Sequence, residues 1–206
     1  MSILKQLLFT PRCVICTRLG VDLCPSCIKS VEPFRARDLS EIEMCFCAGE
    51  YSDWLRDSII CYKNGESKYT QLLSQLLRKA LDRHFKSNDL TLIPVPSSPQ
   101  KFRERGYDTV ANLCVNAIQE SESFKMDASN LFLRREVVDQ VGLTAMQRRE
   151  NLSGAFGVRR GVNGTVVIVD DVITTGATLN SAARALKYAG AQRVFGLALC
   201  GTPKTR

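Results

Sequence analysis

Residues 165–178 read TVVIVDDVITTGAT, and the rest of the chain is arranged around them. Val166, Val167, Ile168 and Val169 form an unbroken β-branched run, the pattern of a parallel strand buried on both faces. Asp170 and Asp171 follow, and then Thr174, Thr175, Gly176, Ala177 and Thr178. These small, hydroxylated residues open a helical pattern with Leu179, Ala182, Ala183 and Leu186 on one face, and Gly190 supplies the stop. A strand, a tight turn and a helix N-terminus make an anion site from backbone N–H groups and the helix dipole. The threonine hydroxyls add donors, and Gly176 lets a phosphate come close to the backbone. Two carboxylates beside such a cradle would repel the phosphate itself. They suit sugar hydroxyls, or water on a metal ion.

At these residues the sequence resembles the phosphoribosyl-pyrophosphate signature of type I phosphoribosyltransferases. The resemblance implies that Asp170 and Asp171 bind the ribose 2′- and 3′-hydroxyls. It implies that the loop from Thr174 to Thr178 binds the 5′-phosphate. Where enzymes acting on 6-oxopurines carry an acid, this chain has Thr174, and its wording is closer to the orotate type.

Outward from this stretch, strands and helices alternate from about residue 45 onward, which predicts an α/β fold with a doubly wound parallel sheet. Residues 54–62 read as a helix ending at Lys63, Asn64 and Gly65, and a second helix carries Leu72, Leu73, Leu76, Leu77 and Leu81 as a core-facing stripe. His84, the only histidine, falls near that stripe and is assigned no role. Residues 92–96, LIPVP, form a short strand. Lys101, Arg103 and Arg105 then cluster in what reads as a loop beyond its C-terminal end, the edge where open α/β sheets bind ligands. A pyrophosphate clamp and a merely solvated basic loop are the two readings, and the loop's place favours the clamp. Residues 139–156, which include Arg148 and Arg149, read equally as a mobile lid or an ordinary connection.

Cys13 and Cys16, then Cys24 and Cys27, are two CxxC pairs separated by seven residues. Each pair can turn both sulfurs inward, so the four make a tetrahedral thiolate set for zinc, structural rather than catalytic. Redox pairs would need a strand before and a helix after, and disulfides an oxidising compartment. The remaining cysteines, Cys45, Cys47, Cys61, Cys114 and Cys200, read as buried small side chains. The chain thus divides into a zinc module over residues 1–34, a linker at about 31–43 and a larger domain over 45–206.

The 206 residues carry a formal net charge of +7, which suits anionic partners. No apolar run has the length of a membrane span, and the first residues lack a secretory pattern, so a cytoplasmic protein is expected.

The order of parts narrows the resemblance. A four-cysteine finger, the helix-Lys-x-Gly segment at 62–65, IPVP at 93–96, RERGYD at 103–108 and QVGLTAMQRRENLSGAF at 140–156 all precede the phosphoribosyl signature. Together they resemble the ComF family, which takes in GntX-type proteins. The resemblance implies binding of phosphoribosyl pyrophosphate with magnesium and a link to DNA uptake and use. The alternative is a non-catalytic protein binding phosphoribosyl pyrophosphate or nucleic acid in DNA processing, with a protein partner docked through the zinc module. Six arginines, in pairs at 134/135, 148/149 and 159/160, suggest a phosphate-backbone surface, although no basic recognition helix or aromatic stacking platform accompanies them.

Overall fold

The computed structural model describes residues 10–21, 23–86, 90–119, 121–135, 152 and 154–203. Central to it is a six-stranded sheet. Its strands are β1 (Phe34–Arg35), β2 (Cys45–Glu50), β3 (Leu90–Pro94), β4 (Phe124–Met126), β7 (Thr165–Ile173) and β8 (Arg193–Gly201). The spatial order is β1-β2-β8-β7-β3-β4, parallel throughout except for the β1–β2 pair at the edge. The doubly wound parallel sheet expected from the alternation of elements is present.

The β-branched run on β7 occupies the middle of this sheet. Val167 and Val169 face one layer, formed by α2 (Asp53–Lys63), α3 (Lys68–His84) and α5 (Thr109–Ile118). Val166 and Ile168 face the other, formed by α6 (Ala177–Tyr188) and the segment before β2. Period-two alternation on a strand covered on both sides forces all four positions to be apolar. On α3, Leu72, Leu73, Leu76, Leu77 and Leu81 are almost wholly buried, the stripe read from the sequence.

Residues 31–43, expected to be a linker, are folded onto the sheet. Phe34 and Arg35 pair with Cys47 and Phe46, and Leu39 and Ile42 close a tight turn. The cause is a three-residue rhythm: Pro33, Ala36 and Ile42 are buried, and Leu39 is half-buried between them. That spacing is neither helical nor alternating, so it carries no periodic signal. The basic stretch expected to be a loop is instead helix α4 (Pro99–Arg105), with Ser98 as N-cap, Pro99 opening it and Gly106 at φ +79 closing it. Outside the main sheet, β5 (Leu131–Leu133) pairs antiparallel with β6 (Phe156–Val158).

Ahead of these elements lies α1 (Pro25–Ser30), which begins within the second CxxC pair, with Cys24 as its N-cap and Cys27 buried in its first turn. The Lys79 ammonium, from α3, donates to the carbonyls of Ile28, Lys29 and Val31 at 3.2, 2.9 and 2.6 Å and pairs with Glu32. It therefore caps carbonyls at the C-terminal end of α1, beside the helix's own closing bond from the Val31 N–H to Cys27 O at 3.3 Å. Among the described residues no helix is long and apolar enough to cross a membrane.

Candidate functional site

From β3 the chain winds outward to β4, whereas from β7 it winds the opposite way to β8. The gap between the carboxyl ends of β3 and β7 is thus the switch point of the sheet, where open α/β folds leave a crevice. A cleft of about 670 Å³ lies there. Asp170, Asp171, Thr174 and Thr178 line it from β7 and the turn beyond, and Lys101, Glu104 and Arg105 from α4. Lys63 enters from the end of α2, and Leu133, Leu152 and Phe156 close the cleft from the side of the β5–β6 hairpin.

Because alternate residues on β7 face opposite layers, the two acids have different surroundings. Asp171, on the α2 side, forms an ion pair with the Lys63 ammonium. Asp170 lies on the α6 side, and its Oδ1 accepts from the Asp171 N–H at 2.8 Å. Burial, and then the neighbouring Asp171 carboxylate, push the Asp170 carboxyl up to about 7 against the pull of that N–H and of Lys63. Asp170 can therefore give up its proton when a cation arrives.

The turn after the acids delivers the N-terminus of α6 into the cleft. Thr175 Oγ1 accepts from the Ala177 N–H at 3.3 Å, and Asn180 N closes the first helical turn on Gly176 O at 2.9 Å. Gly176, at φ +76, is the N-cap. A Cβ placed on it would meet the Leu39 side chain, which lies behind the loop. The glycine's lack of a side chain thus admits Leu39 as well as permitting the left-handed backbone.

Helix α4 sorts the three basic residues by its own geometry. Lys101 and Arg105 are four apart, half-buried, and share the face turned to the cleft. Arg103 is exposed and lines a separate cavity of about 450 Å³ with Phe102, Pro99 and Ala111. Between the two cavities Asp108 ties the segment down, accepting from Ser97 N at 2.6 Å and from Ala111 N at 3.0 Å. Arg148 and Arg149 lie outside the described residues.

Lys63 and Glu104 were given no site role by the sequence reading. The helix-Lys-x-Gly segment contained Lys63, but no spacing rule connects it to an acid more than a hundred residues later.

At the N-terminal end, the sulfurs of Cys13, Cys16, Cys24 and Cys27 all lie within 4.8 Å of one another. Cys16 and Cys24 Sγ are 3.7 Å apart, close to the edge of a tetrahedron with metal–sulfur bonds of about 2.3 Å. Burial disfavours the Cys13 thiolate, but backbone N–H groups of Cys16, Cys24 and Ile15 outweigh it and lower the thiol to about 6. Cys24 is also lowered, chiefly by its bond to the Cys27 backbone. Four convergent sulfurs, two already biased towards thiolate, are a donor set that could hold a metal ion.

Comparison with known proteins agrees with this arrangement. The model of the phosphoribosyl transferase domain matches residues 139–206. Competence protein F of Haemophilus influenzae is 33% identical over 138 residues, covering 62% of this chain and 58% of that protein. Competence protein ComFC of Streptococcus pneumoniae is 23% identical over 192 residues, covering 86% and 80%. DNA utilization protein YhgH of Escherichia coli O157:H7 is 34% identical over 112 residues, covering 54% and 49%. The chain thus spans about half to three-fifths of two of these relatives and four-fifths of the third. A phosphoribosyl transferase domain over residues 139–206, a mostly parallel sheet and a four-cysteine cluster thus accompany this chain's similarity to proteins named for competence and DNA utilization.

Proposed function

We propose that the cleft binds phosphoribosyl pyrophosphate together with magnesium. The observation that carries this is the meeting, in one cavity at the sheet's switch point, of the acid pair, the α6 N-terminus and the Lys101–Arg105 face. Asp170 and Asp171 hold the ribose hydroxyls. The turn from Thr174 to Thr178 takes the 5′-phosphate on backbone N–H groups and hydroxyls. Lys101 and Arg105 hold the pyrophosphate, and Arg148 and Arg149 are the further cations proposed for it. Magnesium, when bound, neutralises charge on the pyrophosphate as it leaves. The chemistry such a site would serve is displacement of pyrophosphate from C1 of the sugar, with the chain contributing position and electrostatics. Zinc in the four-cysteine cluster would hold the N-terminal module together and leave its outer surface for a protein partner.

Isothermal titration with phosphoribosyl pyrophosphate tests the reading. One saturable site that requires magnesium is expected, followed by pyrophosphate release in a screen of acceptors if the protein is an enzyme. No heat at millimolar ligand with magnesium present would reject it.

One observation favours a nucleic-acid role as well. On the β5–β6 hairpin the Arg159 guanidinium sits 4.8 Å from the centroid of the Phe132 ring, and an added Cβ on Gly157 would meet both Phe132 and Arg134. An arginine stacked on an aromatic ring, with a second arginine near the same glycine, offers positive charge to a phosphate backbone. The relatives named for competence and DNA utilization are consistent with it. Binding of duplex DNA would show a log–log salt slope of roughly −0.9 per phosphate contact, whereas a small ligand in the cleft would show a shallow one.

A further inference from the structure

We propose that the turn at residues 39–42 is a positioning element for the phosphate loop, with Leu39 and Asn180 as the residues that act. The proposal rests on the cleft being a phosphate site. Leu39 Cδ2, Cδ1 and Cγ are the three atoms nearest the position a Cβ would take on Gly176. Leu39 therefore backs the loop on the side away from the cleft and occupies the space into which Gly176 would otherwise relax.

One helical turn further on, Asn180 clasps the same turn in both directions. Its Oδ1 accepts from the Glu41 N–H at 3.0 Å, and its Nδ2 donates to Ser40 Oγ at 3.2 Å. Arg184 Nε reaches Glu41 Oε1 at 3.2 Å, and Lys187 approaches Glu41 Oε2 at 3.7 Å. The turn is itself anchored. Ile42 is buried, and the Glu43 N–H donates to Val194 O at 2.9 Å.

These contacts come from more than 130 residues away in sequence. They fix the first turn of α6, and with it the direction of the N–H groups that a phosphate would meet. Backbone donors select geometry only as well as they are held, so an apolar backing and a two-way amide clasp set affinity for the phosphate without touching it. Neither residue lines the cleft.

The test compares Leu39→Ala, Asn180→Ala and the conservative Leu39→Met by two readouts. Titration with ribose 5-phosphate and with pyrophosphate should show ribose 5-phosphate weakened about tenfold in both alanine variants. Pyrophosphate, held from α4, should stay within twofold, and Leu39→Met should recover most of the loss. Amide hydrogen exchange reads the loop with no ligand present. Exchange across residues 174–178 should quicken in the alanine variants, while β3 stays as in the parent.

Unchanged exchange at 174–178, or equal weakening of both ligands, would overturn the proposal. If the parent binds neither ligand yet loop exchange quickens, the positioning role stands and the phosphate-site reading fails.

Discussion

The Lys63 ammonium and the Asp171 carboxylate form an ion pair across the mouth of the cleft, one from the last turn of α2 and the other from the carboxyl end of β7. The lysine lies where a bound anion would meet it, and it is the cation that compensates one of two adjacent carboxylates. Lys63→Met should therefore weaken pyrophosphate by about tenfold, roughly the 1.4 kcal/mol of one charge-assisted contact. Magnesium alone should bind no less well, since a competing cation has gone. Both side chains are partly exposed, so the melting temperature should move by only a few degrees. Unaltered pyrophosphate binding would confine Lys63 to a structural pairing.

Arg105 and Arg103 provide an internal control two residues apart. Arg105→Ala should cost about tenfold in pyrophosphate affinity, and Arg103→Ala less than twofold, because α4 turns only the first towards the cleft. Both remove one positive charge, so a purely long-range electrostatic effect would weaken binding equally. Equal losses would count against the clamp.

Asp170 makes stability and binding depend on pH in opposite directions. Its carboxyl is raised to about 7, so the folded chain holds the proton more tightly than the unfolded one. The stability this contributes is complete below the ordinary aspartate range and is lost as pH rises through about 7. Asp170→Asn cannot suffer that loss, so its melting temperature relative to the parent should rise between pH 5 and pH 8. Binding of a magnesium-bearing ligand needs the ionised acid. The parent's affinity should climb over the same window, and the slope should flatten in the asparagine variant. Parallel melting curves for the two proteins at all pH values would refute the assignment.

Metal analysis of the purified protein should find about one zinc per chain. Cys16→Ser should reduce that content and lower the melting temperature, since metal binding would supply folding energy to a module with little core of its own. Rapid alkylation of all four thiols in the native parent, with no metal found, would refute the site.

The strong signals in the sequence were those that depend on neighbours in the chain. The β7 run, the acid pair, the leucine stripe of α3 and the CxxC spacing are all local patterns, and each has its counterpart in the structure. Helix α4 was also locally encoded, in Ser98, Pro99 and Gly106, but its charges drew attention away from its caps. The strands Phe124–Met126 and Phe156–Val158 are three residues each, too short to show a period. Lys63 and Leu39 were hidden for another reason. Each acts on a residue from a distant part of the chain, and only the order of strands in the sheet makes them neighbours.

The cap that Lys79 places on α1 has a consequence for whatever the cysteine module meets. A module joined by a slack tether presents its partner at an effective concentration set by the tether's length. Here one amine grips the carbonyls of Ile28, Lys29 and Val31, and the chain beyond them is laid into the sheet. A molecule seated on the module would then be delivered in a single pose, at a fixed distance from the cleft. The two surfaces would behave as one continuous template, on which the spacing of a partner's own groups decides whether both can be engaged at once.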